Sequence, residues 1–307
     1  MEPLVTIGVP FYNSQDYIIE TLNSIKSQTY PNIQLILVND CSTDESLSLV
    51  KEWLIYNSSV FSGVALMENS QNKGTSFSCK IMEEAADGVF FNKVDADDVI
   101  HPHKISIQVK YLMEHPEVAL VYSNTWLIDN SGQLLEQDYF TAQKFLFVIN
   151  NSGPSGHVFN KLIVEDFIPN SSVLVRKNII DEVGGYDETL FTEDWDLWLR
   201  ICKKHPISFM EGYFSSYRIH PHSVMRKNSS LAKMYLSCCK AVFKHRNINK
   251  EFDRIIAKHI NTYTIGMYRL GMINIEFLRT NFMYNRTLKS GLYYSFGLLK
   301  LKLNQKK

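Results

Sequence analysis

The chain opens on LVTIGVP (Leu4 to Pro10), a short apolar run rich in β-branched residues. A polar turn, Phe11-Tyr12-Asn13-Ser14, then gives way to QDYIIETLNSIKSQ, where Tyr17, Ile18, Leu22 and Ile25 recur at helical spacing. The pattern predicts a strand, a turn and a helix, with Asn13 or Ser14 as its N-cap. It then repeats. IQLILVND (Ile33 to Asp40) reads as a buried strand, and STDESLSLVKEWL as an amphipathic helix opening on Ser/Thr/Asp cap chemistry. GVALMEN, KGTSFSCKIMEEAA, VFFNKV and HKISIQVKYLMEH continue as strand, helix, strand and helix, with Pro102 near the start of the last. Strands alternating with helices of about 10 to 15 residues predict an α/β fold, a mostly parallel sheet with helices on both faces. Ligands of such sheets bind beyond the carboxyl ends of the strands. Asp40 and the trio Asp95, Asp97 and Asp98 fall at two such ends and are expected to face one crevice.

Further along, EVALVYSNTWLID predicts a strand, ended by an Asn130-Ser131-Gly132 turn, after which regularity fades from about Tyr139 to Asn170. Within that stretch NNSGPSG reads as a mobile loop. SSVLVRKNIIDEVGGYDETLFTEDWDLWLRICKKH restores order as a strand, a helix stopped by Gly184-Gly185, and a helix from about Asp194 to Lys204. From Leu231 the chain reads as helical.

The composition, 45% hydrophobic and 21% charged over 307 residues, is globular, and the apolar runs fall far short of a membrane span. The N-terminal MEPLVTIGVPFYN lacks the basic start and cleavage site of a signal peptide, so a cytoplasmic protein is expected. Five cysteines without a Cys-x-x-Cys pair argue against a disulfide framework or a zinc site. The net charge of zero hides an asymmetry. Residues 230–307 carry 15 Lys/Arg against 3 Asp/Glu, and residues 1–229 carry 17 against 29. An acidic body suits a metal site, and a basic tail an anionic surface or acceptor.

The candidate chemistry centres on FFNKVDADDVIHPHK, where Asp95, Asp97 and Asp98 crowd three acids into four positions. Carboxylates this close raise each other's pKa and cost free energy unless a cation or donors compensate. A helix cap ahead of Pro102 is the bland reading. Glu193-Asp194 in FTEDWDLWLR places carboxylates at a helix N-terminus, where a general base would be held rigidly. Capping explains one acid there, but not the flanking Trp195, Asp196 and Trp198. The two tryptophans fit a core or a sugar platform, with Trp198 the better core residue. Asp40 in VNDCSTD suits an acceptor for an imide N–H, or an Asx turn, the role that better fits Asp44. Tyr12 suits a core or a stacking place equally.

Four ordered motifs resemble the family 2 glycosyltransferases of GT-A fold: TIGVPFYNSQDYIIETLNSIKSQTYPNIQLILVNDCSTDES, NKG followed by VDADD, GGYDETLFTEDWDLWLRI, and YRIHPHSV, together covering roughly residues 4 to 225. The resemblance implies a Rossmann-like nucleotide-diphospho-sugar transferase fold with a C-terminal helical region. The implied domains are a catalytic domain at 1–229 (nucleotide-binding half 1–128, acceptor-side half 129–229) and a basic helical region at 230–307. It implies an inverting transfer from a UDP-linked donor, with Mg²⁺ or Mn²⁺ as a Lewis acid on the diphosphate. By the same resemblance Asp95 contacts the ribose, Asp97 the metal, and Asp98 supports the turn. Asp40 reads the base, and Pro10, Tyr12 and Asn13 pack the nucleoside. Asn72, Lys73, Gly74 and Ala96 line the donor, and His220 completes the metal and diphosphate shell beside Arg218, ahead of His222. Asp194 is the base and Glu193 positions the acceptor. One departure stands out: after Asn72-Lys73-Gly74 the family's arginine position holds Cys79, with Lys80 beside it as a substitute charge.

The expected acceptor is a saccharide or lipid-linked glycan of a bacterial surface-polysaccharide pathway, and nucleic acid is not an expected partner. The basic segment RTLKSGLYYSFGLLKLKLNQKK (Arg286 to Lys307) suits peripheral contact with the inner face of the plasma membrane. A solvated helical face packed on the catalytic domain is its plainer reading. Two rival functions are a nucleotide-sugar-binding subunit without catalysis, and a nucleotidyltransferase. The second needs a Gly-rich basic loop after the first strand, where GVPFYNSQ has one glycine and no basic residue.

Overall fold

The computed structural model describes residues 2–221 and 228–304. Among these, nine strands form one sheet: β1 Val5–Phe11, β2 Ile33–Asn39, β3 Gly63–Glu68, β4 Phe90–Lys93, β5 Val99–Ile100, β6 Leu120–Ile128, β7 Leu134–Asp138, β8 Leu174–Arg176 and β9 Ser208–Arg218. The strand order is β3-β2-β1-β4-β8-β6-β9-β5, with β7 paired to β6. The helices are α1 Ile18–Lys26, α2 Ser46–Asn57, α3 Thr75–Glu84, α4 Lys104–Glu114, α5 Tyr139–Gln143, α6 Phe159–Leu162, α7 Lys177–Glu182 and α8 Asp194–Cys202, followed by α9 Asn228–Phe243, α10 Lys250–Arg269, α11 Ile275–Asn285 and α12 Leu288–Asn304.

The strand–helix alternation read from the sequence is what β1 to β4 build, all parallel. Period-two alternation splits β1 between two faces. Val5, Ile7, Val9 and Phe11 join Ile18, Leu22 and Ile25 of α1 and Val50 and Trp53 of α2 in one buried core. On the opposite face a Cβ at Gly8 would lie 2.9 Å from Met82 Sδ, so glycine there lets α3 approach the strand.

Beyond β4 the sheet is mixed: β8 is antiparallel to β4 and β6, and β9 runs parallel to β6 but antiparallel to β5. The pattern concealed β9 because its buried positions do not alternate and its register slips opposite Ser123 and Asn124, near Gly212 at φ +117°. The segment read as a mobile loop is tied down instead. Tyr122 Oη donates to the Pro154 carbonyl at 2.8 Å, Ser155 Oγ accepts the Phe209 N–H at 2.8 Å, and Gly156 bridges Ile207.

By packing, the chain divides into a unit of residues 1–189 with 197–220 and a unit of 190–196 with 221–307. The stretch 190–196, read from sequence as part of the catalytic domain, packs with the C-terminal helices. The Phe191 N–H donates to Ser237 Oγ at 2.6 Å, and Lys244 Nζ lies 2.6 Å from buried Asp196 Oδ1.

Candidate active site

β2 and β4 flank β1 in parallel, so the segments that follow them emerge at the same end of the sheet. Asp40 ends β2, with its N–H held by the Phe11 carbonyl at 2.9 Å. Its buried carboxylate gathers the next loop: Oδ1 accepts from the Lys73 N–H and from Asn69 Nδ2, both at 2.8 Å, and Oδ2 accepts the Gly74 N–H at 2.7 Å. A carboxylate offers about four lone-pair directions, so among the described residues one on Oδ2 is left over. Gly74 takes φ +91° and ψ 164°, a region reserved essentially to glycine, as it caps α3. The Lys73 ammonium lies 3.9 Å from the Phe77 ring centroid, and Asn72 is exposed.

Pro10 is buried in β1, whereas Tyr12 is 43% exposed just past its end, which rules out the core reading for that tyrosine. Asn13 is not the cap of α1. It sits at φ +50° and braces the neighbouring loop, its Oδ1 accepting the Thr43 N–H at 2.8 Å and its own N–H donating to Ser42 Oγ at 3.1 Å. Ser14 does not cap by its side chain either; its carbonyl accepts from the Tyr17 and Ile18 N–H groups. Asp44 makes the expected Asx turn, with Oδ1 accepting the Ser46 N–H at 3.0 Å.

The three crowded acids each have a partner of their own, so donors supply compensation that carboxylates this close require. Lys93 Nζ lies 2.7 Å from Asp95 Oδ1, and Asn170 Nδ2 donates to Asp95 Oδ2 at 3.1 Å. His220 Nε2 lies 2.9 Å from Asp97 Oδ2. Asp98 is fully buried; Ser171 Oγ donates to its Oδ2 at 2.5 Å and the Arg218 N–H to its Oδ1 at 3.1 Å. Burial pushes the Asp98 carboxyl well above the usual range, and the charges of Asp97 and Asp95 push it further. The turn is closed by Thr21 Oγ1, which reaches the carbonyls of Ala96 and Asp98 at 3.0 and 2.8 Å.

Arg218 braces this turn rather than facing a ligand. Its buried guanidinium gives Nε to the Asp97 carbonyl at 2.8 Å, Nη1 to the Asp129 carbonyl at 3.2 Å and Nη2 to Glu20 Oε2 at 2.6 Å, and it lies 5.0 Å from the Tyr17 ring centroid. A fork this fully engaged inside the protein has little left for a diphosphate. Lys80 is likewise committed, to Glu83 at 3.3 Å and Glu84 at 3.5 Å on its own helix. Burial pulls its ammonium down, but the two glutamates outweigh that and hold it above the usual lysine range. Cys79 is completely buried, so the family's arginine has no replacement at that point of α3. Lys93, two residues before Asp95, escaped the sequence reading. Period-two spacing toward Asp95 was its one signal, whereas Asn170 and Ser171 come from a distant segment and gave none.

In the second unit, Glu193 is buried and Asp194 half-buried at the first turn of α8, where Asp194 Oδ1 accepts the Trp195 N–H at 2.9 Å. Trp195 and Trp198 are both core, and Trp195 meets the His259 ring edge-on at 5.6 Å. His222 lies outside the described residues.

Among the described residues no three His, Cys, Asp or Glu side chains converge as a metal cage. Two do meet, and they fit a hard divalent cation. The Asp97 carboxylate is one-third exposed, and His220 turns Nε2 toward it while its buried Nδ1 has no hydrogen-bond partner among the described residues. Mg²⁺ and Mn²⁺ sites at phosphates need few protein ligands, because water and phosphate oxygens fill the rest.

A sheet of this topology, with acids gathered beyond β2 and β4, is that of the GT-A glycosyltransferase fold. The chain belongs to Glycosyltransferase like family 2, whose pattern matches residues 5–255. A curated glycosyltransferase of Rickettsia felis is 28% identical over 236 residues, 74% of this chain and 36% of its own. Another, from Rickettsia prowazekii, is 28% identical over 226 residues, 71% of this chain and 64% of its own. The chain therefore spans less than two thirds of the length of these curated relatives. Glycosyltransferase GlyG of Streptococcus pneumoniae is 26% identical over 295 residues, 94% of this chain and 90% of its own. Among solved structures, S. aureus TarS 1-349 in complex with UDP-GlcNAc superposes with a TM-score of 0.65 at 19% identity, over 96% of this chain and 79% of that one. The mannosyltransferase PcManGT of Pyrobaculum calidifontis, in complex with GDP-Man and Mn²⁺, gives 0.64 at 16% identity, over 97% and 80%. These two likenesses establish the fold. Among the described residues no helix is long and apolar enough to cross a membrane.

Proposed function

We propose that the chain transfers a sugar from a UDP-linked donor to a hydroxyl of a saccharide or lipid-linked glycan, by single displacement with inversion. The observation that carries this reading is the pairing of Asp97 with His220 beyond β4, at the same sheet end as Asp40. Tyr12, exposed past β1, stacks on the base, and the remaining Oδ2 lone pair of Asp40 accepts its imide N–H. Asp95 holds the ribose, with Lys93 setting its orientation. Asp97 and His220 hold Mg²⁺ or Mn²⁺, which when bound neutralises charge on the departing diphosphate. Asp194 takes the proton of the acceptor hydroxyl while that oxygen attacks the anomeric carbon; the bond to the phosphate oxygen breaks and its electron pair leaves with the nucleoside diphosphate. Glu193 positions the acceptor. UDP-GlcNAc in the TarS complex supports the donor class, and Mn²⁺ in the PcManGT complex supports the metal. The protein works on the cytoplasmic side, with its basic C-terminal region in peripheral contact with the membrane.

The deciding experiment is calorimetric titration of UDP, and separately GDP, into wild type and Asp97→Ala, with Mn²⁺ and with EDTA. Metal-dependent UDP binding that the variant loses is the expected result. Titration by GDP alone would reassign the donor, and no nucleotide binding under any condition would sink the transferase reading. Intact binding with no sugar transfer to any glycan acceptor would favour a non-catalytic subunit.

A further inference from the structure

Helix α12 packs through one face: Ser290 and Gly297 are buried, and Tyr293 meets the Tyr268 ring edge-on at 5.1 Å. A Cβ at Gly297 would lie 2.7 Å from Leu278 Cδ1, so the helix sits close against α11 there. Its opposite face carries large apolar side chains at intervals of four, four, three and four residues. Leu288 is 86% exposed, and Leu292, Phe296, Leu299 and Leu303 are 49–56% exposed. At about 100° per residue these five fall within an arc of about 80° opposite Gly297, along about 22 Å of helix. Lys289 and Lys300 flank the arc on one side and Lys302 on the other, all exposed. Beside its first turn, Arg286 lines an open cavity of about 410 Å³ together with Phe282, Leu288, Leu292 and Tyr294.

We infer that this face of α12 is a docking surface for an anionic phospholipid bilayer, on which the helix lies in the plane of the interface. A narrow apolar stripe bordered by lysines on both flanks lets the leucines and Phe296 enter the acyl boundary while the ammonium groups reach lipid phosphates. Charge complementarity selects this occupant. Residues 286–307 contain no acid, and residues 230–307 carry a net +12. Pairing two copies of this face would set lysines against lysines around the stripe, a self-complementary contact of like charge. An anionic leaflet meets the same lysines with opposite sign. This deepens the proposed membrane contact and depends on that alone, not on sugar transfer.

The test uses the full chain and vesicles of phosphatidylcholine with 30% phosphatidylglycerol, against pure phosphatidylcholine. Wild type is expected to sediment with the anionic vesicles and not with the neutral ones. The pair Phe296→Glu with Leu299→Glu should weaken this at least tenfold, and Lys289→Glu with Lys302→Glu should weaken it and flatten its salt dependence. Thermal melts and UDP titration of the same variants keep misfolding apart from lost docking. A Phe296→Trp variant quenched by bromine-labelled lipid would place the stripe in the acyl boundary. Absent binding to anionic vesicles, or equal binding by the Phe296→Glu pair, overturns the inference. So does a dimer in solution that the same pair dissolves without any vesicle binding. Vesicle binding without UDP binding keeps the inference and sinks the transferase reading.

Discussion

Asp97 and His220 lie 123 residues apart in sequence, and the fold sets His220 Nε2 2.9 Å from Asp97 Oδ2. β9 makes the meeting, running alongside β6 and returning the chain over the 95–98 turn, where Arg218 clamps it from main chain and side chain. His220→Ala is expected to leave UDP affinity in EDTA unchanged and to abolish at least a tenfold gain with Mn²⁺, about 1.4 kcal/mol. Calorimetry on both proteins reads this directly, and an equal Mn²⁺ gain in the variant would remove His220 from the metal site.

Lys93 is buried against a partly exposed Asp95. Lys93→Met leaves that carboxylate without its cation and should cost about 2 kcal/mol, less than a fully buried pair because water still reaches Asp95. Adding Asp95→Asn should recover part of the loss, and urea denaturation of the four proteins in the cycle measures the coupling. Additive costs would mean that the pair contributes nothing.

If Arg218 is a brace, its removal appears in stability before it appears in ligand affinity. Arg218→Lys strands carbonyls of the 97 and 129 segments and should cost about 3 kcal/mol. At low temperature, where the variant is folded, UDP affinity should fall only a few-fold. Unchanged denaturation with a large loss of affinity would return the guanidinium to the donor site.

Gly74 and Gly185 answer to different constraints. A Cβ at Gly74 meets open space, so Gly74→Ala costs the backbone strain alone, about 1–3 kcal/mol, and slackens the loop on Asp40. At Gly185, also left-handed at φ +71°, a Cβ would overlap the Glu83 carboxylate that accepts the Tyr186 N–H at 2.9 Å. Gly185→Ala should therefore be the more damaging of the two in urea denaturation.

Lys104 is fully buried, its Nζ donating to Asn92 Oδ1 at 2.7 Å and the Val173 carbonyl at 3.1 Å, and burial lowers its pKa well below the usual lysine value. Between the folded value and the unfolded one, the unfolded chain holds the extra proton, so stability rises with pH across that window. Lys104→Met removes this dependence. Urea midpoints measured from pH 7 to 10 should show wild type gaining on the variant as pH rises, and a constant difference would contradict the burial argument.

Strand β1, strand β2 and the acids at 40, 95, 97 and 98 were legible in the sequence because each is written locally. Apolar runs of β-branched residues name their strands, and parallel topology puts the following acids at one end. The order of the four motifs carried the family assignment for the same reason. Strand β9 and the segment 150–156 were not legible, since a register slip beside Gly212 breaks the alternation and the ties to Pro154 and Ser155 come from β6 and β9. Whether a charged side chain faces a ligand or the protein interior was also hidden. Arg218, Lys80 and Asp40 look alike as candidates in one dimension, and only in three do their carbonyl, glutamate and main-chain N–H partners appear. Residue type and period are local properties of the chain, so the elements and the chemistry available at their ends follow from one dimension alone. Hydrogen-bond partnership spans up to two hundred residues, as Glu20 and Arg218 show at a separation of 198, so which of those groups brace the site and which are left to act is settled by folding in three dimensions.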